Sequence, residues 1–171
     1  MTGDGGRTGA ERAAQAGVDL NAARALLGGA GFAVLSTLSQ RRPGWPSASL
    51  VPLATDARGA PLLLLSDLAQ HTRNLAADPR ACLFVFDAEA AAKDPRTSPR
   101  LAVYGRVEPV PPDDEPDARA RYLARQPSAR GLLQLDFHLF RMDVEEAQWV
   151  GGFAAAGWIE GRDLVGSLNR F

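Results

Sequence analysis

The chain has 171 residues, 46% hydrophobic and 23% charged, with a formal net charge of −1. That length fits one domain with a sizeable core, and the charge balance disfavours nucleic acid, whose phosphate backbone needs a concentrated positive face. Cys82 is the single cysteine and there are two histidines, which leaves no internal disulfide and no dedicated zinc site.

Met1 to Gly9 is polar and Gly/Thr-rich without an apolar h-region, and reads as a disordered arm ahead of a single domain over 10–171. No apolar run approaches the length of a membrane span, so a cytoplasmic protein with no membrane partner is expected. Residues 10–27 read as an amphipathic helix stopped by Gly28-Gly29. Phe32 to Leu38 has strand propensity, and Gln40 to Pro46 is a turn cluster. Ser47 to Leu53 alternates as a half-buried strand, and Thr55 to Ala60 is a hairpin connection into the apolar run Pro61 to Leu65. A polar turn from Ser66 leads to a short helix, and Ala81 to Asp87 is the next strand. Ala88 to Pro99 reads as a loop and Arg100 to Val107 as a strand. Asp117 to Arg125 is an exposed helix, Gln134 to Val144 a late strand, and Glu145 to Gly152 a connection. Gly161 to Asn169 is read as a last short helix. Short strands with hairpin links and helices at the edges describe a mainly β fold, an antiparallel barrel with flanking helices.

Residues 66–87 carry the chemistry. Ser66 opens the turn, and His71, Thr72, Arg73 and Asn74 occupy the first turns of the helix that follows. Free N–H groups at a helix start, joined by an imidazole, a hydroxyl and a guanidinium, suit an anionic group such as a phosphate or propionate. Cys82 lies in an apolar run and reads as a small buried hydrophobe, and His138, between Phe137 and Leu139, as a core or interface histidine. Trp149, Phe153 and Trp158 form an aromatic cluster suited to core or interface packing. No Ser/His/Asp order, paired carboxylates or nucleophilic cysteine supports hydrolysis.

Four pieces resemble the FMN-binding split-barrel superfamily, the fold of pyridoxamine 5'-phosphate oxidase, and within it the haem-utilisation branch. They are Gly44-Trp45-Pro46-Ser47-Ala48-Ser49 through Leu53, Leu65 to Leu75 with Asp78-Pro79-Arg80, Asp94-Pro95 with Arg100 to Gly105, and Asp136 to Leu139 with Val150 to Phe153. The resemblance implies a Greek-key split barrel and a homodimer with cofactor sites in the grooves between barrels. It implies an FMN-binding oxidoreductase-like protein, with the phosphate at Ser66, His71, Thr72, Arg73 and Asn74. The flavin ring would run along Ser47, Ser49 and Val51, and Arg100 would come from the groove wall. Asp136, Trp149 and Phe153 fall at the subunit interface, Asp136 as a partner of the other subunit's His71. The strand of Ser47 offers no cation, and His71 stands where the oxidase places a lysine. The alternatives are a haem-binding or haem-utilisation protein and a cofactor-free dimer. In the haem branch the iron ligand is a histidine in a C-terminal tail. This chain has none after His138, which leaves His71 or His138 to meet the iron.

Overall fold

The computed structural model describes residues 17–152 and 155–166. Asp19 opens the first helix: its Oδ1 accepts from the Ala22 N–H at 2.9 Å, so α1 runs Leu20–Gly29. Of the helix expected over 10–27, residues 10–16 lie outside the described residues, as does the arm 1–9. Residues 17–19 are not helical because the cap at Asp19 sets the start.

Strands β1 (Phe32–Leu38) and β2 (Pro46–Pro52) form a hairpin whose tip places Gly44 at φ 82. Then come β3 (Ala54–Thr55), β4 (Pro61–Ser66), α2 (Gln70–Ala77) and β5 (Arg80–Phe86). They are followed by α3 (Ala88–Lys93), β6 (Arg100–Pro109), α4 (Glu115–Arg125) and a 3₁₀ helix (Pro127–Gln134). The last elements are β7 (Phe137–Gly152), β8 (Ala155–Glu160) and α5 (Gly161–Leu164). The sheet order is β2-β1-β5-β6-β7-β4-β3, with β8 also on β7, and every pairing among these strands is antiparallel. The sheet curls into a half-barrel with flanking helices, the expected architecture.

Three segments differ from expectation. Glu145 to Gly152 is no connection but the second half of the 16-residue β7, because β6 and β8 flank it on both sides. Ala147 and Trp149 point inward there and Glu146 and Gln148 outward. The strand also starts at Phe137, after the 3₁₀ helix, and not at Gln134. Ala88 to Pro99 contains α3, capped by the Asp87 carboxylate accepting from Ala90 N–H at 2.9 Å. The helix expected from Gly161 ends at Leu164, and residues 167–169 lie outside the described residues.

The four consecutive leucines of β4 are explained by burial on both faces. Leu63 and Leu65 enter the barrel core with Leu35, Leu83, Val103 and Met142. Leu62 and Leu64 face the other way, into a second cluster with Ala118 and Tyr122 of α4 and with Leu139. Each such side chain contributes about 1.5–3 kcal/mol on burial, so β4 is a fixed rail ending at Ser66. Burial also pushes the Tyr122 phenol up to about 12.

Outside the barrel, no helix among the described residues covers one face of β2-β1-β5-β6-β7-β8. Register aligns Leu50, Val34, Phe84, Ala102, Gln148 and Trp158 in one row across it. Phe32 meets Phe86 edge-on at 6.3 Å, and Tyr104 lies 5.9 Å from Trp158. Leu50 is 71% exposed on this face.

Candidate functional site

The turn between β4 and α2 is fastened to the start of β7. The Ser66 hydroxyl donates to the Asp136 carboxylate, and the Asp67 N–H donates to the Asp136 carbonyl at 2.9 Å. The Leu68 N–H donates to Ser66 Oγ at 3.1 Å, and Thr72 Oγ1 donates back to the Ser66 carbonyl at 2.6 Å. Ser66 therefore closes a ring of contacts that sets where α2 begins. The hydroxyl of Ser66 holds the Asp136 carboxyl below the usual carboxylate range, with the His138 charge adding a smaller pull.

Asn74 is anchored from the other side. Its Nδ2 donates to Thr37 Oγ1 at 2.9 Å, while its Oδ1 accepts from Gln40 N–H at 3.0 Å and from Gln70 Nε2 at 2.9 Å. It is fully buried, so the amide ties α2 to β1. Asn74 is thus corrected from a ligand contact to a structural clasp. Thr72 is corrected in part, since its hydroxyl proton is committed to Ser66.

Two side chains on the same helix remain uncommitted. His71 is half-buried and makes no hydrogen bond among the described residues, and desolvation lowers its pKa below 6.5. It is a neutral imidazole at pH 7, with nitrogen lone-pair character available. Arg73 is exposed and has no ion pair among the described residues.

The remaining expected contacts are dispersed. On β2, Ser47, Ser49 and Val51 face the barrel side, with Val51 buried, and Ala48, Leu50 and Pro52 face outward. The two serines and Leu50 therefore stand on opposite faces of β2, through strand alternation. Arg100 donates from Nη1 to the Ser98 carbonyl at 3.1 Å and lies within 3.5 Å of the Pro95 and Arg96 carbonyls, so it closes the 95–98 turn. His138 is exposed and not a core residue, with Nε2 3.1 Å from Asp67 Oδ2. Trp149 is buried in its own chain's core, its indole beneath Gly151, so it offers no side chain to a partner surface. Phe153 lies outside the described residues. Cys82 is half-buried on the outer face, opposite Tyr104, and desolvation pushes its thiol up.

Sequence reasoning missed two features. One is the aromatic outer face, whose signal was that β5 is apolar at Cys82, Phe84 and Phe86 as well as at Leu83 and Val85. The other is a cluster of Asp56, Arg58, Asp114 and Arg141, drawn from three distant segments and invisible to local pattern. Among the described residues no group of three or more His, Cys, Asp or Glu side chains could hold a metal ion, and no helix is long and apolar enough to cross a membrane.

Comparison with known proteins fixes the lineage. The CREG β-barrel family model matches residues 17–165. The chain belongs to the CREG β-barrel family. It is 37% identical over 135 residues to the chloroplastic non-canonical heme oxygenase HOZ of Arabidopsis thaliana, covering 78% of this chain and 40% of that protein. It is 32% identical over 128 residues to the heme oxygenase HutZ of Vibrio cholerae, covering 71% of each. A solved heme-binding protein from Mycobacterium smegmatis superposes with a TM-score of 0.76 at 32% identity, over 85% of this chain and 59% of that one. The chain thus spans less than two thirds of the plant and mycobacterial proteins. A Clostridium acetobutylicum protein of the pyridoxinephosphate oxidase family, 13% identical with a TM-score of 0.63 over 84% of this chain and 96% of that one, shares the fold alone. The split-barrel resemblance and its haem-utilisation branch therefore stand. The expectation of FMN does not: HOZ, HutZ and the mycobacterial protein, each above 30% identity, are named for heme, which overturns it.

Proposed function

We propose that this chain binds haem, as a homodimer, in a groove beside the start of α2. The observation that carries the reading is the likeness to haem proteins at 32–37% identity over most of the barrel. The residues present fit the group. His71 offers a neutral, unpartnered imidazole to the iron, and desolvation keeps it deprotonated. Arg73 and the first-turn N–H groups of α2 offer positive potential to the propionates. Ser66, Thr72 and Asn74 act one step back, holding the helix start that carries His71.

Dimerisation is supported by the outer sheet face. Phe32, Leu50, Phe84, Tyr104 and Trp158 form an apolar surface of a kind that soluble chains cover, and a second copy presenting the same face would cover it about a two-fold axis. The bound haem would supply the redox-active iron; the chain supplies placement, an imidazole nitrogen and electrostatics. Two relatives carry the name heme oxygenase, which favours haem breakdown as a second reading, tested by loss of haem absorbance under a reductant and oxygen.

The test is a titration with ferric haem followed at the Soret band, repeated with His71→Ala and His138→Ala. A saturable Soret shift that His71→Ala alters and His138→Ala leaves unchanged supports the reading. No shift beyond that of free haem overturns it, and a shift indifferent to His71→Ala removes His71 from the iron.

A further inference from the structure

A cavity of about 670 Å³ lies beside Arg58 and Ala60, at the end of β4 away from Ser66. Four arginines line it: Arg58, Arg106, Arg141 and Arg162. The central one is Arg141 on β7, whose side chain is only 17% exposed, an uncommon state for a guanidinium. Its Nη1 donates to Asp114 Oδ2 at 2.7 Å.

Its other nitrogens are poorly served. Asp56, behind the cavity, accepts on Oδ1 from the Arg58 and Ala60 N–H groups and on Oδ2 from Arg58 Nη2 at 3.2 Å. Arg141 Nε comes within 3.3 Å of that same Oδ2 but is buried without a hydrogen bond. Its Nη2 makes no hydrogen bond among the described residues. Asp56 and Asp114 thus pair with Arg141 through Nε and Nη1, and Nη2 is the nitrogen left to an incoming acceptor. Near the mouth, Arg106 Nε sits 3.6 Å from Glu108, beyond hydrogen-bond distance, and Arg162 is exposed with no ion pair among the described residues. Glu108 and Asp143 stand exposed at the rim, where water screens them, and Asp114 is spent on Arg141. Val144 and Val165 give the wall an apolar patch.

We propose that this cavity is a binding site for a small amphipathic organic anion. A phosphate or carboxylate head would meet Arg106, Arg162 and Arg141 Nη2, and the apolar body would rest on Val144 and Val165. The volume falls within the range of small-molecule pockets. The site shares no residue with the α2 groove, so it stands or falls independently of haem binding.

The experiment titrates the full chain with 2-naphthyl phosphate at low salt, read by ligand fluorescence, beside 2-naphthol as the uncharged control. Saturable binding of the phosphate and not of the naphthol is expected. Losing charge-assisted hydrogen bonds in the Arg106→Ala/Arg162→Ala double variant should weaken binding about tenfold or more. Both residues are exposed, so the variant should melt like the parent, and Arg106→Lys/Arg162→Lys should recover part of the affinity. His71→Ala should change nothing. Absence of saturable binding, equal binding of 2-naphthol, full retention in the double alanine variant, or loss in His71→Ala would each overturn the proposal.

Discussion

Asn74→Ala tests whether the start of α2 is held by side-chain hydrogen bonds or by backbone alone. The substitution removes three bonds: the donor to Thr37 Oγ1 and the two acceptor contacts from Gln40 and Gln70. Gln40 and Gln70 are exposed and regain water, so each of these losses is small. Thr37 is buried and keeps only a 3.5 Å contact to the Ser47 carbonyl, so its hydroxyl loses its good partner. A net bond contributes about 1 kcal/mol, and a small void adds to the lost buried contact, giving about 2–3 kcal/mol in all. For a domain of this size that is a fall in Tm of roughly 5–10 °C. Thermal and urea unfolding followed by circular dichroism measure it. Asn74→Asp keeps the acceptor but loses the donor and buries a charge, and should be at least as harmful. A loss below about 0.5 kcal/mol for Asn74→Ala would refute the clasp.

Other outcomes follow from the same geometry. Ser66→Ala should raise the Asp136 pKa toward the ordinary carboxylate value, read by carboxyl NMR. Because the native value lies below the unfolded one, the stabilisation is present above about pH 4 and is lost as pH falls through the native pKa, so the variant should show a shallower acid-side loss. His71 has the same sign: its native pKa is lowered, so stability falls as pH drops below about 6.5 through the native value. His71→Gln should remove that slope in urea unfolding. Gly105→Ala puts a Cβ against the Asp143 carbonyl at the β6–β7 irregularity and should cost about 3 kcal/mol, measured by urea midpoint. Phe84→Arg on the outer face should turn a dimer into a monomer in sedimentation, and an unchanged dimer would point to another interface.

The barrel was legible where one strand's pattern sufficed. Phe32–Leu38, Pro61–Ser66 and Arg80–Phe86 announce themselves through apolar runs closed by turns. The second half of β7 was not, because Glu145, Glu146 and Gln148 look like a surface connection until β6 and β8 are known to flank them. At the candidate site, composition correctly gathered Ser66, His71, Thr72, Arg73 and Asn74 on one turn-and-helix unit. It could not say which of these side chains the fold itself consumes. Asn74 is spent on Thr37 and Thr72 on Ser66, through contacts reaching across 37 and 6 residues, so His71 and Arg73 are left over. The choice of haem over FMN came from relatedness, since an anion cradle receives phosphate and propionate alike.

Iron anomalous scattering from crystals grown with ferric haem tests the central claim most directly. The expected result is one iron per chain beside the His71 imidazole, in a groove shared by two copies. Iron at His138, iron in the arginine-lined cavity, or no bound iron at all would contradict it.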